Sequence, residues 1–134
     1  LDNNKKTPKA ILELSELMTY VLYDCQDEKI ALSKEIAFIK NYIVLEKSRF
    51  EDSVNINLEV DETAVSNYMV APLLFLPFIE NAFKHCNKSG RDTAEIAIKF
   101  DTTKLPILIL CVTNTCDLIQ EHQTDRKGVG LENA

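Results

Sequence analysis

The N-terminal part of the chain places its hydrophobic residues at helical spacing. The first run predicts a helix that begins with Thr7 as the N-cap and Pro8 at the first helical position, and that ends near Asp24. After a polar break, Ser33 is expected to cap a second helix that continues to about Arg49. The amphipathic pattern of the first helix fits an ordinary core helix and half of a dimerising bundle equally well.

The pattern then changes from a helical period to an alternating one. Residues 54–60 alternate and predict a half-buried strand, and residues 95–100 alternate in the same way. Residues 105–112 are almost continuously apolar, which predicts a central strand buried on both faces. These last two strands, joined by a short turn, indicate an antiparallel hairpin. Between the strands, residues 71–86 predict a helix opened by Pro72, so the expected fold class is α+β.

The helix predicted over residues 71–86 has two different faces. One is an apolar stripe expected to pack on the rest of the fold: Phe75, Ile79, Ala82, Phe83 and Cys86. The other changes from apolar to polar along its length: Leu74, Phe78, Asn81, Lys84, His85 and Lys88. Asn81, Lys84 and His85 follow the spacing i, i+3, i+4, which groups their side chains at one end of the helix. Such a group could hold a metal-bound phosphate, and a core helix whose polar end reaches solvent explains the same spacing.

Length and charge limit the classes of function. A chain of 134 residues is long enough for one domain, or for a small domain with a helical appendage. The formal net charge of −6 disfavours nucleic-acid binding, which needs a basic face, but leaves room for a small nucleotide site. With 27% charged residues and no apolar run of about 20 residues, the sequence predicts no membrane span, and its N-terminus lacks a signal-peptide pattern.

The four cysteines form no pattern typical of a disulfide framework or a zinc site. They are Cys25, Cys86, Cys111 and Cys116, without a CxxC pair, and two of them lie in apolar runs. We therefore expect buried free thiols in a reducing cytosol.

Three polar features occur in an order that could serve a nucleotide. Asn81 offers an amide oxygen, a hard ligand suited to Mg2+, and Lys84 or His85 could neutralise phosphate oxygens. Asn114, at the end of the last strand, offers a donor and an acceptor to the edge of a base. The glycines of the segment GVG would let the backbone approach a phosphate closely. Each feature alone has an ordinary explanation as a solvated side chain, a strand cap or a turn.

Four segments resemble one protein family. PLLFLPFIENAFKH resembles the N box of the GHKL (Bergerat-fold) ATPases, and more narrowly the version in LytS/YehU-type sensor histidine kinases. LSELMTYVLYD and LSKEIAFIKNYIVLEKSRF resemble the dimerisation-region helix and the connecting helix that precede the ATPase domain in that family. GVGLEN resembles the glycine box that closes the ATP lid. The resemblance covers most of the chain and is specific at the N box and the LEKSRF segment.

The resemblance implies a fold, a division of the chain and a function. Residues 1–50 would form part of a helical dimerisation and linker region, and residues 51–134 an incomplete, C-terminally truncated two-layer α/β sandwich of Bergerat type. The chain would be the ATP-binding part of a two-component sensor histidine kinase, which autophosphorylates an upstream histidine and passes the phosphoryl group to a response regulator. We expect ATP and Mg2+ as ligands, a homodimer in the full-length protein and no nucleic-acid partner. The expected location is the cytoplasmic side of an inner-membrane protein, with membrane contact only through upstream segments.

Carried over residue by residue, the resemblance gives each candidate a role. Asn81 would coordinate the Mg2+ that bridges the ATP phosphates, with Lys84 and His85 beside those phosphates. Asn114 stands where the family usually has an Asp that accepts a hydrogen bond from the adenine amino group. No residue of the chain is assigned a catalytic role. The glycines that would form the phosphate-facing turn of the lid are Gly128 and Gly130.

Three departures from the family pattern shape these expectations. The phosphoacceptor segment Asn-Pro-His-Phe is expected before Leu1, and neither His85 nor His122 fits it, so this piece alone is not expected to autophosphorylate. The Asp-x-Gly-x-Gly box is reduced to NTCD at residues 114–117, which predicts weaker nucleotide binding. The chain also stops within a motif and so resembles a piece of a longer protein.

Two other functions stay open. The reduced box also fits a degenerate, non-catalytic module that keeps the GHKL fold and uses its helices to dimerise. The other open function is a serine kinase acting as an anti-sigma factor, which would belong to another branch of the superfamily. The LEKSRF segment and the sequence Glu80-Asn81-Ala82 disfavour that branch.

Overall fold

The computed structural model describes residues 3–50 and 52–117, which form three helices, a short 3-10 helix and five strands. In chain order these are α1 (Asn3–Tyr23), the 3-10 helix (Asp24–Gln26), β1 (Ile30–Ala31), α2 (Leu32–Phe50), β2 (Val54–Glu59), β3 (Met69–Val70), α3 (Leu76–His85), β4 (Ala94–Asp101) and β5 (Ile109–Asn114). The described part is therefore α+β, as predicted.

The main sheet has the strand order β2-β4-β5. β2 and β4 are parallel, with Val54 opposite Ala94, and the connection between them contains α3. β4 and β5 are antiparallel, with Ile98 opposite Val112, which confirms the predicted hairpin. Buried and exposed residues alternate along β4, so one face of the sheet packs on the helices and the other faces solvent.

The prediction of a central strand over residues 105–112, buried on both faces, is wrong. β5 begins at Ile109, pairs only with β4 among the described strands, and has no fully buried residue. Residues 105–108 belong to the connection instead. Residues 103–106 form a turn, and the Ile107 N–H donates to the Lys104 carbonyl at 2.9 Å, so this part of the apolar run does not pair with β4.

The main core lies between the inner face of the sheet and helices α2 and α3. Its buried residues are Leu32, Ile36, Ile39, Ile43, Val54, Val65, Phe75, Ile79, Ala82, Phe83, Ala94, Ile96, Ile98 and Phe100. α2 therefore packs in the same core as the strands. The division of the chain at residue 50 stays a prediction.

A second, smaller cluster joins α1 to α2, and we call it the junction cluster: Leu17, Tyr20, Ile30 and Phe38. The rings of Tyr20 and Phe38 stack with centroids 4.5 Å apart and planes inclined by 26°. Leu73 and Leu76, just ahead of and at the start of α3, pack against it half-buried. The junction cluster thus links both N-terminal helices to the segment that leads into α3.

Both predicted helix starts are wrong. α1 begins at Asn3, so Thr7 is not its N-cap and Pro8 is not its first residue. The two lysines before Thr7 are good helix formers, and the helix extends through them. α2 begins at Leu32, and Ser33 lies inside it. The Leu32 N–H donates to the Tyr68 carbonyl at 2.9 Å, so a neighbouring segment satisfies this helix-start donor.

All four cysteines are free thiols, but the expectation that they are buried is wrong. Cys25 and Cys86 are half-buried, whereas Cys111 and Cys116 are exposed. Cys111 lies on the solvent-facing side of β5, and Cys116 follows that strand. Within the described ranges, no helix is long and apolar enough to cross a membrane.

Candidate functional site

The helix that carries three of the six candidate residues starts later than predicted. α3 begins at Leu76, with Pro77 in its first turn, and not at Pro72. Leu73 has φ of 59°, in the left-handed region that a right-handed helix cannot include. The residues before Leu76 therefore form a turn that sets the direction of α3.

The apolar stripe of α3 packs as predicted. Ile79, Ala82 and Phe83 are buried, and Cys86 is half-buried against the same core. The Phe83 ring meets Tyr42 edge-on with centroids 5.9 Å apart and stacks on Phe50 at 6.0 Å. These contacts with α2 fix the rotation of α3 about its own axis.

That rotation leaves the predicted binding side chains in solvent. Asn81, Lys84 and His85 are all exposed on the helix side opposite the main core. Among residues 3–50 and 52–117, no ion pair engages Lys84 or His85. Both basic residues lie in the last turn of α3, where the helix dipole favours the positive charge of Lys84. Within the described part of the chain, all three side chains therefore face solvent.

Hydrogen bonds join the segment just after α3 to the end of β5, where Asn114 lies. The Asn87 N–H donates to the Thr115 carbonyl at 3.0 Å, and the Thr115 hydroxyl donates to the Asn87 carbonyl at 2.7 Å. The Asn87 amide group donates to Asp117 Oδ2 at 3.2 Å. The structure thus brings the polar end of α3 close to the strand end that carries Asn114.

Thr115 and Asn87 are site-building residues that sequence reasoning missed. Thr115 also accepts from the Glu95 N–H through its hydroxyl oxygen at 3.0 Å and donates its N–H to the Glu95 carbonyl at 2.9 Å. It therefore joins β4, β5 and the residue after α3. The available signal was a Thr directly after a strand, since threonine hydroxyls commonly bond nearby backbone groups.

Asn114 is half-buried at the last position of β5. Its Nδ2 donates to the Thr115 carbonyl at 3.2 Å. The amide oxygen therefore remains as the acceptor that could meet a base.

Part of the predicted site cannot be compared with the structure. Gly128, Gly130 and His122 lie outside the described residues. Among the described residues, no group of three or more His, Cys, Asp or Glu could hold a metal ion. The Asn81 amide oxygen fits one position of a Mg2+ ion, which takes oxygen ligands, keeps several waters and otherwise rides on phosphates.

Comparisons with known proteins agree on one family. Residues 1–54 match the family model described as histidine kinase. The sensor histidine kinase/phosphatase LytS of Staphylococcus aureus (strain MRSA252) is 32% identical over 110 residues, which cover 80% of this chain and 19% of that protein. The chain belongs to the LytS-type sensor histidine kinases.

A second relative of the LytS type supports the same assignment. The sensor protein LytS of Staphylococcus saprophyticus is 27% identical over 107 residues, covering 80% of this chain and 18% of the relative. The matched region covers 80% of the chain, and α3 lies far enough from both ends to fall inside it, whether the unmatched part is at the N-terminus or at the C-terminus. The chain spans about a fifth of the length of the curated relatives that it matches.

Proposed function

We propose that this chain is the ATP-binding part of a two-component sensor histidine kinase, built on a GHKL core of Bergerat type. The observation that carries the proposal is the exposed group Asn81, Lys84 and His85 on α3, beside the strand end that holds Asn114. Family membership supports it, because relatives are named sensor histidine kinases. In the longer protein, a histidine elsewhere would take the phosphoryl group and pass it to a response regulator.

On the phosphate side, the chain contributes positioning and charge. Mg2+, when bound, neutralises the charge of the ATP phosphates. The Asn81 amide oxygen would hold that ion, and the Lys84 ammonium and the His85 ring would lie beside phosphate oxygens. Because no ion pair occupies Lys84 among the described residues, its charge is available to a ligand. These roles orient the nucleotide and break no bond themselves.

On the adenine side, Asn114 would accept a hydrogen bond from the adenine amino group through its amide oxygen. Its Nδ2 already donates to Thr115, which leaves that oxygen as the free function. A neutral amide is a weaker acceptor than a carboxylate, because charge-assisted hydrogen bonds are roughly twice as strong. We expect the chain to bind Mg-ATP weakly, with the lid glycines Gly128 and Gly130 adding backbone contacts to the phosphates.

The same proposal covers assembly and location. α1 exposes a row of large apolar side chains, and we propose that it pairs with a second copy of the full-length protein. These exposed residues are Ile11, Leu12, Leu14, Met18, Val21 and Leu22. We place the chain on the cytoplasmic side of an inner-membrane protein, where ATP and a response regulator are present.

Calorimetric titration with Mg-ATP tests the site. We expect Asn81→Ala to weaken binding by about tenfold or more, since hydrogen bonds and ligand contacts to charged groups are worth about 1.5–3 kcal/mol. Asn57→Ala, the same substitution on the solvent face of β2, is the matched control and should leave the affinity unchanged. Sub-micromolar binding that survives both Asn81→Ala and Asn114→Ala would contradict the site.

A non-catalytic interaction module is the second candidate, favoured by Asn114 in the place of an Asp and by the exposed apolar side of α1. The longer protein with its own histidine distinguishes the two. Incorporation of labelled phosphate from ATP supports the kinase. Failure to incorporate it in a folded dimer supports the module.

A further inference from the structure

Glu35, in the first turn of α2, is the buried charged residue of the described part of the chain. Its side chain is 1% exposed, although glutamate is almost never fully buried unless it is paired. Among residues 3–50 and 52–117 no ion pair includes it. A carboxyl removed from water without a cation has a large free-energy cost, so its remaining partners must be specific.

Those partners are backbone N–H groups of the turn that leads into α3. The Leu73 N–H donates a hydrogen bond to Glu35 Oε1, and the Leu74 N–H also interacts with the carboxyl. Burial raises the pKa of Glu35, while these backbone donors oppose that rise. The titratable groups that face the carboxyl are Tyr20 of α1 and Cys25 of the 3-10 helix.

The Glu35 carboxyl accepts a hydrogen bond from the residue of this turn whose backbone conformation is unfavourable. Leu73 has φ of 59°, a conformation that costs a non-glycine residue free energy and persists only where the surroundings enforce it. Three residues later α3 begins, and Asn81 lies on its next turn. The hydrogen bond from Leu73 to Glu35 therefore fixes the direction from which α3 enters the fold.

Other contacts tie the start of α2 to the same segment. The Leu32 N–H donates to the Tyr68 carbonyl at 2.9 Å, and β1 pairs with β3, with Ile30 opposite Val70. Glu35 makes the last of these links before α3. On its other side, Tyr20 of α1 stacks on Phe38 and its hydroxyl lies beside the Glu35 carboxyl.

We propose that Glu35 is a positioning residue that holds the Leu73 turn, and through it places α3 and Asn81 according to where α1 packs. The effect on nucleotide binding rests on the proposed function, whereas the effect on the turn does not. Without the Glu35 acceptor, two backbone N–H groups would lose their partner and Leu73 would lose the contact that offsets its strained backbone. The turn would relax, and Asn81 would sample more than one position.

Amide hydrogen exchange by NMR and Mg-ATP titration on the same chain test this proposal. In Glu35→Ala, we expect the Leu73 and Leu74 amides to exchange at least about tenfold faster, because roughly one buried hydrogen bond is lost. We also expect Mg-ATP to bind about fivefold more weakly. Val54→Ala, a truncation in β2 of the main core, is the control for general destabilisation. It should leave the ratio of exchange between the Leu73 turn and the sheet unchanged.

Two further variants keep the test decisive if Glu35→Ala fails to fold. Glu35→Gln retains an acceptor oxygen at the same reach and should restore slow exchange at Leu73 and the wild-type affinity. Glu35→Asp keeps the charge but is one methylene shorter, and it should behave as Glu35→Ala. Equal exchange at Leu73 in Glu35→Gln and Glu35→Asp, or the same pattern in Glu35→Ala and Val54→Ala, would overturn the proposal.

The two proposals fail in different ways. If wild-type protein binds no nucleotide, the proposed function fails, and the exchange at Leu73 still decides the role of Glu35. If wild-type protein binds Mg-ATP through Asn81 but Glu35→Ala binds equally well with an unchanged Leu73 amide, only the role of Glu35 fails.

Discussion

The main core and the junction cluster both bury apolar side chains, but they treat polar groups differently. The main core contains only apolar residues, in which Ile79, Ile96 and Ile98 are at most 1% exposed. The junction cluster packs around the Glu35 carboxyl and the Tyr20 hydroxyl, whose oxygen is buried without a hydrogen bond of standard geometry among the described residues. The comparison shows that the side chains between the sheet and the helices contribute through apolar burial, whereas the joint between α1, α2 and the Leu73 turn also depends on specific polar side-chain contacts. The stability of the main core depends on the volume of the apolar side chains that it buries. The stability of the junction cluster also depends on the protonation of Glu35 and on individual hydrogen bonds.

The largest effect should come from the main core. Ile96→Ala removes a side chain that is 1% exposed at the centre of β4, and we expect a loss of about 3–4 kcal/mol in the free energy of unfolding. Lys99→Ala on the solvent side of the same strand is the control and should change stability by less than about 0.5 kcal/mol. Urea denaturation measures both. A loss below about 1 kcal/mol for Ile96→Ala would contradict a tightly packed main core.

A smaller loss is expected in the junction cluster. Phe38→Leu keeps an apolar side chain but removes the stack on Tyr20, and we expect a loss of about 1–2 kcal/mol. Near-ultraviolet circular dichroism should change at the same time, because Tyr20 loses its aromatic neighbour. Unchanged dichroism with full stability would show that the stack contributes nothing to the joint.

The two regions should also differ in pH dependence, through Glu35. Because burial raises the folded-state pKa of Glu35 above its ordinary 4.5, the folded protein holds this proton to higher pH than the unfolded chain does. Its contribution to stability is therefore complete below about pH 4.5 and is lost as pH rises through the folded-state pKa. Glu35→Gln has no such proton, so its stability should fall less with pH across that range.

Urea denaturation at a series of pH values compares wild type with Glu35→Gln. Glu59→Gln, on an exposed position of β2, controls for the change in net charge. Parallel stability curves for wild type and Glu35→Gln would show that the carboxyl does not titrate in a buried environment.

The smallest effect is expected at the Tyr20 hydroxyl. Tyr20→Phe removes a buried oxygen that has no standard hydrogen bond among the described residues, and we expect stability equal to wild type or higher by up to about 0.5 kcal/mol. Tyr42→Phe, on the half-buried edge of the main core, is the matched substitution. Calorimetric unfolding of the two variants gives the comparison. A loss above about 1 kcal/mol for Tyr20→Phe would show that the hydroxyl donates to Glu35.

The sequence pattern predicted the structure correctly where one physical effect, burial of one side of an element, dominates. The alternation along residues 95–100 and the stripe from Phe75 to Cys86 predicted the inner faces of β4 and α3, because burial on one side dictates the period. Asn81, Lys84 and His85 share an exposed side for the same reason. Their roles with Mg-ATP stay predictions.

Sequence pattern failed where backbone geometry competes with hydrophobicity. The start of α3 is set by the left-handed Leu73 and not by Pro72, and no periodicity reveals a positive φ at a leucine. In the run over residues 105–112, the first two residues belong to the turn after β4 although they are apolar. The burial of Glu35 was missed because its pairing partner is a backbone N–H far along the chain.

The parallel pairing of β2 with β4 has a consequence for the order of folding. Val54 meets Ala94 only after the chain between them, including the Leu73 turn and α3, has been gathered against the sheet, so this pairing closes a long loop. The hairpin of β4 and β5 closes a short one and can form early. α3 must therefore dock as β2 joins, in the late and slow step of folding. The surface that carries Asn81 should therefore exist only in the fully folded chain, and a nascent or partly unfolded form would not present it.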